Sequence, residues 1–432
     1  MLLTATVPGA PADTDAEACV IREFPGMGPA CELESGLFEV FDENGVSLGT
    51  THGPDYGVDD GNEILPAYSK APACVQDEEQ AHYARVFYAW ASDRGPSKSD
   101  DQIRALLDAA NGILFLEAYN QGGFRDIRVD CELHVGVGLK TVVNRVQLDT
   151  PLGQTTFSSV VSDLKSTPGL RDMDDPRIHY WVYFEDRLPG QTNLLGQGHV
   201  LADETQGVEN ENNGGGYAKY ALTYGHYDPT TMLHELTHNM GGVQYNSPNS
   251  SGSGWHCNDG HDIMCYSDGG DKSNYRTTAC SSEKYDCGRD DYFNLDPEYG
   301  SYLYRNWNLA DVEHRFLRGC GEAQGTLALG AGPVELSSPR TYQSHQFGRT
   351  CSDRPFYLEG YGQDLYVRPL DDAGFDYQNQ ADMDVCFYDG SVLLECEDRL
   401  SKVESGRTPF GTDRVRIYAK GHNAVDYFLR IG

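Results

Sequence analysis

No apolar run in this chain reaches the ~18 residues that a membrane-spanning helix needs. Basic charge is scarce as well: 33 Lys+Arg stand against 66 Asp+Glu in 432 residues. A surface that acidic argues against nucleic acid or anionic membrane as a partner, because both are polyanions. No CxxC pair occurs, which speaks against a structural zinc ribbon. No EF-hand spacing occurs either, although Asp259, Asp262, Asp268, Asp271, Asp290 and Asp291 are candidates for calcium. Residues 1–12 lack a basic n-region and a full apolar stretch, yet Ala10-Pro11-Ala12 reads as a small-x-small cleavage site at the tail of a signal peptide.

Cysteine, by contrast, is plentiful: twelve, an even number, dispersed along the chain. That pattern predicts disulfides and an oxidising compartment, hence a secreted, extracellular protein. Cys257 with Cys265 and Cys280 with Cys287 would each close a short loop. Asp389-Gly390 is a hairpin turn signal between two apolar runs. A strict two-residue turn there sets Cys386 opposite Leu393, so a Cys386–Cys396 bridge would need a bulge.

The length predicts two or three domains. Residues 1–75 are rich in Gly, Asp, Glu and Pro and read as an irregular segment, a signal remnant or pro-segment. From residue 76 to about 322 strands and helices alternate. Tyr83–Trp90 and Ile178–Phe184 read as strands, and the alternation Ile127, Val129, Cys131, Leu133, Val135 reads as a third. Ser99 and Gln102 form a possible capping box before Ile103, Leu106, Leu107, Ala110 and Leu114 at helical spacing. Phe157, Val160, Val161 and Leu164 give a second amphipathic helix. Tyr217–Tyr224, after a Gly-rich loop, fits an edge strand. The sum is an α/β (α+β) domain with a central mixed sheet. Residues 323–432 carry only short alternating segments and predict an all-β sandwich.

The chemistry concentrates in Asp228-Pro-Thr-Thr-Met-Leu-His234-Glu235-Leu-Thr-His238-Asn-Met-Gly241. Asp228 is a good N-cap and Pro229 suits the first helical position. His234 and His238, four apart, share one helix face and can hold one zinc ion. Glu235 beside them can act as general base on a water. Gly241 stops the helix with the positive φ that glycine tolerates.

Asp262-Ile263-Met264-Cys265-Tyr266 resembles the Met-turn that underlies the metal in metzincins. Taken with His-Glu-Leu-Thr-His-Asn-Met-Gly-Gly-Val-Gln, Trp255-His-Cys-Asn-Asp259, Asp286-Cys-Gly-Arg-Asp-Asp-Tyr-Phe-Asn294 and Gly300-Ser-Tyr-Leu303, about half the chain resembles secreted actinobacterial metzincin-like peptidases. The resemblance implies a zinc endopeptidase with a protein or peptide substrate, and a monomer is expected. The tail, through Ala381-Asp-Met-Asp-Val-Cys386 and Tyr427-Phe-Leu-Arg430, is similar to bacterial pre-peptidase C-terminal domains, which implies an accessory module.

In metzincins a third ligand, His or Asp, stands six residues after the second His, and here that position is Gln244. A neutral amide is a poor zinc ligand. His256, beyond the flexible Ser250–Gly254 stretch, is the better donor, with Gln244, His261 and Asp259 as alternatives. Tyr266, two residues after Met264, is a candidate oxyanion stabiliser. The rivals are a non-catalytic adhesion or binding protein that retains the zinc-site fold, and a metal-dependent hydrolase of non-peptide amides. An intact Glu235 argues against the first, since a retired enzyme has no need of a base.

Overall fold

The computed structural model describes residues 20–56, 68–75, 81–121, 125–134, 138–191, 193–252, 255–266, 280, 284–295, 297, 300–311 and 314–319, and, further on, strands and a short turn between 325 and 431. Two compact units emerge, residues 1–114 with 127–317, and residues 115–126 with 318–432. No helix among the described residues is long and apolar enough to cross a membrane.

The N-terminal segment, expected to be irregular, holds a four-stranded antiparallel meander: β1 (Arg22–Phe24), β2 (Gly28–Glu32), β3 (Phe38–Phe41) and β4 (Ser47–Thr51). Its strands are short and punctuated by glycine turns, so no long alternation advertises them. Two further short strands follow, β5 (Asp55–Tyr56) and β6 (Ala73–Cys74), and then the long β7 (Tyr83–Trp90).

Helix α1 (Asp100–Asn120) starts where the capping box predicts. Gln102 N donates to Ser99 Oγ at 3.3 Å, and Ser99 N to Gln102 Oε1 at 2.9 Å. The alternating run after it is two strands rather than one, β8 (Arg125–Val129) and β9 (Cys131–His134). The break at Asp130 reverses the environment: Ile127 and Val129 are buried, whereas Leu133 is 74% exposed. Among the described residues β9 pairs only with β10 (Gly138–Thr141), outside the main sheet. Next come β11 (Val143–Gln147), α2 (Phe157–Ser166), β12 (Ile178–Phe184), β13 (Leu194–Gly198), β14 (Lys219–Tyr224) and α3 (Pro229–Asn239).

The central sheet is mixed, in the order β8-β7-β12-β14-β13-β5, with β11 also paired to β7 and β6 to β8. β7, β12 and β14 run parallel, while β13 is antiparallel to both β14 and β5. β14 is therefore an inner strand, not the expected edge. The missed strand, β13, reads Leu-Leu-Gly-Gln-Gly, a composition that carries no strand signal. Phe157, Val160, Val161 and Leu164 of α2 join Phe87, Tyr180, Val182, Tyr220 and Leu222 of the sheet in one buried cluster. Met27, Ala30, Val40 and Leu48 of the meander belong to that same cluster.

In the second unit, strands 356–358, 414–420, 382–389 and 392–397 form part of a six-stranded sheet, and strands 334–336, 427–431, 364–369 and 404–407 a four-stranded one. The hairpin pairs Asp389 with Val392, so the connection lies one residue beyond the expected Asp389-Gly390. A register shift between Phe387 and Tyr388 then sets Cys386 directly opposite Cys396, the bulge that such a pairing requires.

Disulfides join Cys74 to Cys131, Cys257 to Cys265 and Cys280 to Cys287, the last two as the spacing suggested. Denatured but unreduced protein should accordingly show few reactive thiols by colorimetric titration. Reaction of most of the twelve cysteines would contradict both the bridges and an oxidising compartment.

Candidate metal centre

Helix α3 is fixed at both ends. Asp228 accepts from Thr231 N at 2.8 Å, with Pro229 in the first turn. At the other end Gly241 N donates to His238 O at 2.8 Å and Gly242 N to Thr237 O at 3.0 Å, the paired bonds of a Schellman stop. Gly241 has φ +90°, and a Cβ there would also meet Asn212 at 2.8 Å. Between these ends the helix lies against β13 and β14. Gly196 and Gly198 make that approach feasible: a Cβ on Gly196 would collide with the Glu235 carboxylate, and one on Gly198 would come within 2.7 Å of Glu235 O. The indole of Trp181 on β12 donates to Met232 O at 2.7 Å and pins the helix from below.

His234 and His238 project from one face. Their Nε2 atoms are 3.0 Å apart, and His238 Nε2 is 3.2 Å from His256 Nε2. A tetrahedral ion with bonds of about 2.0–2.1 Å would set its nitrogens about 3.3 Å apart. His234 Nδ1 lies 2.6 Å from Ile263 O. That contact needs a proton on Nδ1, which leaves the Nε2 of a neutral ring as a lone-pair donor facing its neighbours. His238 is held well below its ordinary pKa by burial first, then by the imidazoles of His52, His234 and His256. A neutral imidazole is the form that binds metal.

The loop that delivers His256 is braced at several points. The Cys257–Cys265 bridge closes it, and Cys257 N donates to Met264 O at 3.1 Å. Asp262, buried, accepts from Met264 N at 2.7 Å, Cys287 N at 2.7 Å and Tyr292 OH at 2.8 Å. Met264 is fully buried. The Tyr266 ring stands 4.3 Å from that of His256. Gln244 makes its bonds elsewhere, donating from Nε2 to Leu201 O at 3.1 Å and Gly241 O at 2.8 Å. His261 is exposed. Asp259 groups instead with Asp290 and Asp291. Asp268 and Asp271 lie outside the described residues.

Two groups come from a part of the chain that the sequence reading left without chemistry. Asp55 on β5 points its carboxylate at the imidazoles: Oδ1 is 2.9 Å from His256 Nε2, and Oδ2 is 3.1 Å from His234 Nε2 and 4.0 Å from His238 Nε2. Tyr266 OH donates to Asp55 Oδ1. His52 stacks on His238 at 3.7 Å, and its Nε2 accepts from Gly198 N at 3.1 Å. Burial alone would raise Asp55, but the imidazoles of His52, His256 and His234 outweigh it and hold the carboxyl well below its usual range. Glu235 is pushed the other way, well above the usual range, by burial first and then by the charge of Asp55. No local signal marks Asp55, one acid among 66 in a segment without periodicity.

These buried His and Asp groups form a site that could hold a metal ion. No protein-family model and no curated protein matches the chain. Among solved structures, the wild-type crystal structure of OgpA from Akkermansia muciniphila is similar at 12% identity and TM-score 0.28, over 87% of this chain and 97% of that one. The catalytically inactive OgpA in complex with an O-glycopeptide (glycodrosocin) substrate gives 13% identity and TM-score 0.27, over 86% and 97%.

Removing each candidate third ligand separates their roles in metal binding, read by competition with a chromogenic chelator. His256→Ala should lower zinc affinity by more than the roughly 10–100-fold typical of residues that only orient a ligand, and Gln244→Ala by no more than that. The reverse order would assign the position to Gln244.

Proposed function

We propose that this protein is a secreted zinc peptidase of the metzincin type, cleaving within protein or peptide chains. The observation that carries the reading is the convergence of three imidazole Nε2 atoms beside the buried carboxylate of Glu235. Three imidazole nitrogens at that spacing suit zinc, which favours nitrogen donors in tetrahedral array. When bound, the ion would polarise a scissile carbonyl and make the attacking water acidic enough to act at neutral pH.

The chain's own groups would do the rest. His234, His238 and His256 hold the ion, and the carbonyl of Ile263 fixes the His234 ring that faces it. Glu235, next in the chain to His234, takes the proton from the attacking water and returns it to the leaving amine. With a cation held by the imidazoles, the Glu235 carboxyl would be favoured in its ionised form despite its burial. Tyr266, whose hydroxyl donates to Asp55 in this structure, would in the reaction donate to negative charge developing on the carbonyl oxygen. A peptide substrate is favoured over a smaller amide because residues 50–56 lie extended along β13 beside the site, a backbone position that an extended peptide would take in their place. The second unit would serve as an accessory β-sandwich outside the chemistry.

Glu235→Gln should cut peptide hydrolysis by roughly 10²–10⁴-fold, the usual worth of a positioned base, while zinc stays bound. Near wild-type turnover in that variant, measured against a peptide library, would rule out the mechanism.

A further inference from the structure

The outer edge of β13 already carries an extended chain, and it is the protein's own. Val200 N donates to Thr50 O at 3.0 Å, Thr51 bridges to His199, and Thr51 Oγ1 donates to Gly198 O at 2.7 Å. Gly198 N then donates to the His52 ring, and Asp55 and Tyr56 pair antiparallel with Gly196 and Leu194. Residues 50–56 thus run antiparallel along 194–200, past the imidazole cluster, with Thr51, His52 and Asp55 buried. An extended peptide laid on this edge would need the same hydrogen-bonding groups.

We propose that residues 52–56 block the site from within: Asp55 supplies a fourth metal ligand, and β5 occupies the strand position of a peptide substrate. The inference rests on the peptidase reading above and deepens it. Its logic is one of coordination number. Three imidazoles and a carboxylate make a closed, four-ligand site, whereas catalytic zinc keeps one position open. A buried general base such as Glu235 has a task only when that position is open. The fourth ligand is also the one most easily withdrawn. His234, His238 and His256 stand on a capped helix and a disulfide-braced loop, while Asp55 stands on a two-residue strand whose register is interrupted between Leu194 and Gly196.

The meander that precedes it is not so easily shed. Met27, Ala30, Val40 and Leu48 are buried in the common core, and that apolar burial holds the meander to the domain. Opening therefore consists of local displacement of residues 52–56 while β1–β4 stay docked. The active form has Asp55 away from the metal and the β13 edge free.

The test uses the full chain loaded with cobalt in place of zinc, titrated with acetohydroxamate and followed by visible absorption. Asp55→Ala removes the ligand. Asp55→Asn keeps its volume and its hydrogen bond with Tyr266, guarding against a folding defect. Both should change the resting cobalt bands and bind acetohydroxamate at least about tenfold more tightly than the unaltered protein, because the competent fraction rises. Superposable bands with equal affinity would overturn the proposal. Altered bands with equal affinity would overturn it too, since Asp55 would then be a permanent ligand beside an open position. Tighter chelation without peptide hydrolysis in either variant would leave the blocked site standing and sink the peptidase reading instead.

Discussion

Three buried imidazole nitrogens facing one another at 3.0 and 3.2 Å are an arrangement that lone pairs alone would not hold. The Asp55 carboxylate, 2.9 Å from His256 Nε2 and 3.1 Å from His234 Nε2, offsets part of their mutual repulsion and of the water they have given up, as a bound cation would. The surrounding fold has to impose the convergence, and most of its special features do so. The N-cap and Schellman stop fix the length of α3, and the two glycines of β13 let it seat against the sheet. The bridge between Cys257 and Cys265, with three hydrogen bonds to Asp262, fixes the loop that brings His256 across. Caps and bridge stabilise the fold in their own right, and together they hold the imidazoles at a spacing that a metal ion could occupy.

The same constraint shapes the neighbourhood of the site. A strand edge alongside a metal centre favours extended peptides, but an unpaired edge also invites unwanted pairing. Here residues 50–56 cover that edge, and the carboxylate they carry meets the positive region the imidazoles would create around an ion. On the proposed reading, edge protection and metal protection are combined in one short segment. The packing of the meander into the α2 core keeps the segment close to the site.

How much of this was legible depended on whether the signal was local. Helix α3 announced itself fully, because Asp228, Pro229, the His-Glu-x-x-His spacing and Gly241 all act within one element. β7, β12 and the buried faces of α1 and α2 were equally plain, since periodicity reports burial directly. His256 was readable only as a better donor than Gln244; its meeting with His238, 18 residues earlier, is made by the tertiary course of a Ser/Gly-rich loop. β13 was invisible because its glycines serve the approach of Glu235, not strand propensity. Asp55 and His52 were invisible for a different reason. Their role arises from pairing with a strand far along the chain, and a short Gly-Pro-interrupted segment holds no period from which to infer it. The split of the run 127–135 at Asp130 shows the converse error, an alternation that continues in sequence while the chain leaves the sheet.

The account stands on a zinc ion held by three histidines, and X-ray absorption at the zinc edge of the metal-loaded protein tests that most directly. The spectrum should show one zinc per chain with three imidazole nitrogens and one oxygen at about 2.0–2.1 Å. A sulfur ligand, fewer than three imidazoles, or failure to retain stoichiometric zinc would contradict it.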